Sequence, residues 1–283
     1  MAVSARAIME FPAPEARQSV AARDAILYAL SVGYGAEPLD ASHLRRTQER
    51  DLLPAPTLAN VVAHPGPWLQ DAGIDWQRLV HAEHRLTIHR PVPIDTPLRS
   101  RSRMTAIVDR GPEKGMFATF ERAIVTLAEE APVATIVQTN ACRGDGGCGS
   151  AGTPPEPLAP IPARAPDAVY AIAVPEDAAL LYRLNGDLNP LHSDPAYAAG
   201  AGFSRPILHG LCTFGYAGYA VGRTDGSGAL ADVGFIAARF TAPVLPGDGL
   251  EFDIWRQGLD IAFRARVPAR GVTVLDFGTA RLA

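Results

Sequence analysis

The stretch Ile207-Leu208-His209-Gly210-Leu211-Cys212-Thr213-Phe214-Gly215-Tyr216-Ala217-Gly218-Tyr219-Ala220-Val221 is apolar almost all round. Its spacing predicts a helix, and a helix with no polar face is buried. The small residues Gly210, Gly215, Ala217, Gly218 and Ala220 let other backbones approach it closely. Four strand-like segments follow it: Gly234 to Phe240, Leu250 to Gln257, Asp260 to Val267 and Val272 to Arg281. Each is rich in β-branched or aromatic residues, and turn residues separate them.

The first half of the chain repeats this plan. Ala21 to Val32 is apolar at helical spacing through Ile26, Leu27 and Leu30, with Gly33 as a natural stop. Strand-like runs follow at Glu83 to Ile88, Leu98 to Asp109, Met116 to Ala128 and Ala131 to Cys142. Pro91-Val92-Pro93-Ile94-Asp95-Thr96-Pro97-Leu98 can be laid over Pro243-Val244-Leu245-Pro246-Gly247-Asp248-Gly249-Leu250. The halves therefore read as two similar antiparallel units in tandem. A buried helix wrapped by an antiparallel sheet is the hot-dog arrangement, so the expected fold is α+β, a double hot dog. The expected division is an N-terminal repeat over 1–145, a linker over 146–166 and a C-terminal repeat over 167–283. The linker reading rests on the Gly/Pro-rich run from Arg143 to Pro166. Its glycines are followed by no Gly-Lys-Ser/Thr, so a phosphate loop is not indicated. Arg143-Gly144-Asp145 is read as a chance match to an adhesion tripeptide.

Composition narrows the function classes. The chain has 283 residues, 47% of them hydrophobic, and a formal net charge of -4. With a pI near 6.0, no broad basic surface is implied, and nucleic acid is not an expected partner. Lys114 is the only lysine. No run approaches the roughly 20 apolar residues that cross a membrane. The first residues hold no apolar core of secretory length, because Glu10, Pro12, Pro14 and Glu15 interrupt them. Arg281-Leu282-Ala283 is not a Ser-Lys-Leu-type peroxisomal address. Cys142, Cys148 and Cys212 are few and odd in number, which points to a reducing compartment, and a cytoplasmic location is expected. Cys142 and Cys148 match no common zinc spacing. His81, His84 and His89 have nearly alternating, strand-like spacing, and are expected to be partly exposed and metal-free.

Tyr182-Arg183-Leu184-Asn185-Gly186-Asp187-Leu188-Asn189-Pro190-Leu191-His192 carries the chemistry. It sets a carboxylate and an imidazole five residues apart, with Asn189 and Pro190 favouring a turn between them. Such a pair suits water addition to a polarised double bond. A plain capping role for Asp187 is the competing reading. Asp194-Pro195 can open a short helix. Phe203 to Thr213 then leads to the buried helix, whose first N–H groups lack internal partners and carry partial positive charge. Gly210 lies at that end, where a ligand oxygen could come close.

Tyr-x-Leu-x-Gly-Asp-x-Asn-Pro-Leu-His followed by Pro-Ile-Leu-His-Gly-Leu-Cys-Thr resembles the signature of the MaoC-like, type 2 (R-specific) enoyl-CoA hydratases. It is most similar to the hydratase domain of the eukaryotic peroxisomal multifunctional enzyme. The resemblance runs from about Ala22 to the C-terminus and is strongest from Tyr182 to Phe214. It implies a double hot dog in which only the C-terminal repeat keeps the catalytic turn, while the degenerate first repeat widens the acyl pocket. It implies Asp187 and His192 as the catalytic pair, Asn189 as a brace of the turn, and the Gly210 amide as receiver of the thioester oxygen. Tyr28 and Glu49 match first-half residues tied to activity, and Tyr182, Asp194, His209 and Asp167 match supporting positions. Gln48 and Arg45-Arg46-Thr47 depart from the family pattern, which has an aromatic residue before the glutamate and a more apolar stretch there.

The implied activity is reversible hydration of a trans-2-enoyl-CoA to a (3R)-3-hydroxyacyl-CoA. No metal and no cofactor is expected beyond the coenzyme A of the substrate, and a homodimer is favoured. Arg99, Arg101 and Arg103, on one strand face, and Arg205 are candidates for the CoA phosphates. The alternatives are a dehydratase acting on carrier-protein or short branched or dicarboxylic thioesters, a hot-dog thioesterase, and a non-catalytic acyl-CoA-binding module.

Overall fold

The computed structural model describes residues 3–223 and 230–283. The chain packs into two compact units. One comprises Met1–Ser19, Ala63–Arg90 and Thr96–Pro157; the other comprises Val20–Val62, Pro91–Asp95 and Leu158–Ala283. Residues 20–62 pack in the second unit.

The first unit opens with helix α1 (Ala5–Met9) and holds strands β1 (Glu15–Ser19), β2 (Leu79–Ile88), β3 (Pro97–Asp109), β4 (Met116–Thr126), β5 (Pro132–Cys142) and β6 (Ala151–Gly152). The main strands run antiparallel in the order β1-β3-β4-β5-β2, with β6 against β3. Alternation of side chains along each strand decides what faces the interior. Met104, Met116, Ala118 and Phe120 turn inward onto Ile8, Trp68, Leu69 and Ile74. His84 also lies on the inward face and is buried, correcting the expectation of partial exposure; its Nδ1 lies 3.2 Å from His81 Nε2. His89 is exposed, as expected.

Arg99, Arg101 and Arg103 are spent on carboxylates. Arg99 pairs with Glu130 at 2.7 Å, Arg101 with Glu15 at 3.2 Å and Arg103 with Glu121 at 2.9 Å. The start of the Gly-rich run is fixed as well. The Asp109 carboxylate accepts the N–H groups of Gly111, Gly147 and Gly149 at 2.8–2.9 Å. Those bonds draw the Asp109 carboxyl below its usual range. A glycine tract is free only until its amides find an acceptor, and Asp109 supplies one.

The second unit contains helices α2 (Ala22–Ser31), α3 (Ala41–Thr47), α4 (Ala178–Tyr182), α5 (Pro195–Gly200) and α6 (Gly210–Gly222). Its strands are β7 (Ala168–Ala173), β8 (Val233–Phe240), β9 (Gly249–Gln257), β10 (Asp260–Val267) and β11 (Val272–Leu282). They run antiparallel in the order β8-β11-β10-β9-β7. Helix α6 packs on β8 to β11, and every residue from Cys212 to Gly222 is buried. Two glycines make room for its other neighbours. A Cβ at Gly215 would stand 2.5 Å from Val32 Cγ1, and one at Gly218 would stand 2.7 Å from Thr57 Cγ2. Residues 20–62 are fastened to this unit by the buried Arg46, which donates to Pro54 O at 2.7 Å and pairs with Asp232 at 2.5 Å. Among the described residues, no helix is long and apolar enough to cross a membrane.

Candidate active site

The turn after α4 is built by local hydrogen bonds. Helix α4 runs into a single 3₁₀ turn, Arg183–Asn185, which ends at Gly186 in the left-handed region at φ 109. A side chain would strain that position. The Asp187 carboxylate accepts the Asn189 N–H at 3.2 Å, and Asn189 Oδ1 accepts the Leu191 N–H at 3.0 Å. Asn189 thus caps the next 3₁₀ turn, Pro190–His192. Side-chain acceptors two residues back are the reason Asp and Asn favour turns.

Two backbone carbonyls then orient two imidazoles. His192 Nδ1 pairs with Ile207 O at 2.8 Å, and His209 Nε2 with Asp187 O at 3.1 Å. A carbonyl only accepts, so each bonded nitrogen carries the proton, and His192 Nε2 and His209 Nδ1 keep their lone pairs. The two rings stack with centroids 3.7 Å apart at 27°. Tyr182 leans on His209, with centroids 4.9 Å apart. The sequence places Asp187 and His192 five residues apart; the fold brings both together with His209. One atom each of Asp187, His192 and His209 lies within 4.8 Å of the others, spacing that could hold a metal ion. Each ring already spends one nitrogen on a backbone carbonyl, and the arrangement equally suits proton transfer.

Burial sets the charge state. It lowers the His192 pKa, and the Ile207 carbonyl and Asp187 offset this only in part. Burial, then the neighbouring His192, brings His209 down to about 4. Both imidazoles are therefore neutral at pH 7. Both are buried, while Asp187 is exposed.

Behind the imidazoles lies a layer of buried hydroxyls. Tyr28 and Tyr182 approach with ring centroids 6.1 Å apart, and burial raises both phenol pKa values. Tyr28 OH, Tyr182 OH, Thr57 Oγ1 and His209 Nδ1 are buried without a hydrogen bond of ordinary geometry. Ser31 Oγ donates to Tyr28 O at 2.8 Å and accepts from Asn185 Nδ2 at 3.0 Å, while Cys212 Sγ reaches Ser31 O at 3.5 Å. The end of α2 is thereby stitched to the turn and to α6. Sequence reading missed Asn185 and Ser31; an amide two residues before Asp187 in a tight turn was the available signal for Asn185.

Gly210 is the first residue of α6, and Cys212 N and Thr213 N make the first bonds, to His209 O. The Gly210 and Leu211 amides come before those bonds. A Cβ at Gly210 would meet Phe240 Cε1 at 3.3 Å. The other expected residues lie in separate local structures. Asp194 caps α5 by accepting from Ala196 N and Tyr197 N. Asp167 pairs with Arg164 and accepts from Arg256 N, which holds it down to about 2. Arg205 pairs with Glu176 at 2.7 Å. Glu49 is exposed on the turn after α3.

Residues 157–276 match the MaoC like domain, and residues 19–144 match the MFE-2 hydratase 2 N-terminal domain. The chain is 33% identical to "Enoyl-CoA hydratase 2, peroxisomal" of Arabidopsis thaliana, over 93% of this chain and 90% of that protein. The chain belongs to the MaoC-like hydratase 2 family. In structure it is similar to a MaoC-like dehydratase from Phytophthora capsici, with a TM-score of 0.87, 27% identity and 99% of each chain covered. A Mycobacterium tuberculosis protein described as having a double hotdog fold superposes over 96% of this chain and 95% of that one, with a TM-score of 0.57 and 18% identity. The double hot dog expected from the sequence is the fold of this chain. As a member of the MaoC-like hydratase 2 family, it is a hydro-lyase.

Proposed function

We propose that this chain catalyses reversible syn hydration of a trans-2-enoyl-CoA to a (3R)-3-hydroxyacyl-CoA. The observation that carries the reading is the neutral His192, held by Ile207 O so that Nε2 keeps its lone pair, in a cluster with Asp187. The Gly210 N–H, at the positive end of α6, takes the thioester oxygen and makes C3 electrophilic. A water held between Asp187 and His192 loses a proton to Nε2 while its oxygen bonds to C3. The electron pair of the double bond moves to C2 and the thioester oxygen. The same imidazolium returns its proton to C2, so addition is syn and the base is regenerated. Proton transfer and carbonyl polarisation are all that is required, so the reading includes no cofactor other than the substrate's coenzyme A. The relative named enoyl-CoA hydratase 2 supports the substrate class. Three free cysteines fit a cytoplasmic setting, and pairing of hot-dog units supports a homodimer, which sedimentation velocity would test.

Asp187→Asn and His192→Ala are expected to lower kcat on crotonyl-CoA roughly 10²–10⁴-fold, the range for lost acid–base catalysis. The wild-type product should be the 3R enantiomer, and no thiol should be released from a saturated acyl-CoA. Normal rates in both variants would remove the pair from the mechanism. Thiol release would point to a thioesterase instead.

A further inference from the structure

Three strand ends of the first unit converge on Cys142: both Leu79, which opens β2, and Met116, which opens β4, stand in register with this last residue of β5. The sequence places a cation on each flanking segment. Arg78 precedes β2, Arg110 and Lys114 sit in the turn between β3 and β4, and Arg143 follows β5. These four line a concavity of about 400 Å³ with Glu113 as the only acid, and Phe117 contributes an aromatic wall. Four guanidinium groups elsewhere, those of Arg99, Arg103, Arg205 and Arg266, each hold a carboxylate at 2.7–2.9 Å. Arg78, Arg110, Lys114 and Arg143 close no ion pair among the described residues. The neighbouring acid, Asp145, accepts the Asp75 N–H and attracts Arg78 without closing an ion pair to it. Arg110 rests over the Phe117 ring at 5.0 Å, so this cation and this ring face are already together.

We propose that this concavity binds a phosphate ester carrying two or more phosphoryl groups on an aromatic base. Four cations against one carboxylate, in a chain of net charge -4, leave a local positive excess that a multiply charged anion neutralises. The volume falls within the range of small-molecule pockets, about 300–1,000 Å³. The Arg110 guanidinium, backed by the Phe117 ring, offers a planar cationic surface for a base. The ligand has two sources with this chemistry: the nucleotide end of coenzyme A, which rests on the acyl-CoA reading above, and a free nucleotide, which does not.

The test is calorimetric titration of the full chain with adenosine 3′,5′-bisphosphate, ADP, inorganic phosphate and adenosine. Both diphosphorylated compounds should bind and adenosine should not. Raising salt from 50 to 300 mM should weaken binding several-fold, since exposed charges are screened. The Arg110→Ala/Arg143→Ala double variant should bind at least ten-fold more weakly with an unchanged melting temperature, and Arg143→Glu should do the same. A parallel rise in KM for crotonyl-CoA identifies coenzyme A as the source; an unchanged KM identifies a free nucleotide. Absence of binding at millimolar ligand, or equal binding by the double variant, overturns the site. Binding is read without turnover, so a failure of the hydratase reading would be seen separately.

Discussion

Replacing His209 with Gln tests the electrostatics of the site directly. The amide of His209→Gln keeps a donor for Asp187 O but cannot take up a proton. In the native protein, burial and the stacked His192 bring His209 down to about 4, against an ordinary value of 6.5. Between those two pH values the unfolded chain binds a proton that the folded chain refuses. Stability from this residue is therefore complete above pH 6.5 and is lost as pH falls toward 4. At about 1.4 kcal/mol per pH unit, the distance from 6.5 to about 4 is worth at most about 3 kcal/mol. Urea unfolding of wild type and variant at pH 7, 5.5 and 4 gives the difference curve. His81 and His84 are held low in both proteins, so their contributions cancel. The variant should begin less stable at pH 7 and recover about 3 kcal/mol relative to wild type by pH 4. Difference curves that stay flat within about 0.5 kcal/mol would mean that His209 titrates like an exposed imidazole, and the burial argument would fail.

Acidification should also dim catalysis. The His192 pKa is lowered by burial, so log kcat/KM should hold from pH 7 down through 6.5 and fall only below it; a midpoint above 6.5 contradicts a neutral buried base. Arg46→Met should cost about 2 kcal/mol in chemical denaturation, because it removes charged donors from Pro54 O and Asp232. Gly215→Ala should lower the melting temperature: about 1 kcal/mol of helix propensity is gained, but a Cβ 2.5 Å from Val32 Cγ1 costs about 1–3 kcal/mol of overpacking. A rise in melting temperature would show that Val32 can move aside.

Much of this architecture is readable from local pattern. The eight main strands follow from β-branched and aromatic runs between turn residues, and α6 from its lack of a polar face. Strand β1, Glu-Ala-Arg-Gln-Ser, escaped because it is a polar edge strand, whose Glu15 pairs with Arg101 of β3 and whose Arg17 pairs with Glu15. Strand β7 escaped because proline-rich sequence runs into it and its alternation is muted by alanine. The Asp187–His192 turn was legible because Gly186, Asn189 and Pro190 restrict their own backbone. The side-chain bonds that complete it were not. Asn185 meets Ser31 across 154 residues of sequence, and Arg46 meets Asp232 across 186; no local signal encodes such partners. Val32 and Thr57 likewise cover α6 from a segment far upstream.

That cover has a bearing on how the chemistry can be moved or isolated. Residues 158–283 expressed alone would carry Asp187, His192 and Gly210 yet lack Val32 and Thr57, the side chains seated in the notches of Gly215 and Gly218. The notched flank of α6 would then meet water, inviting self-association before any substrate arrived. A transplantable form of this unit must borrow residues 20–62 from far upstream, so its smallest inheritable form is discontinuous in the gene.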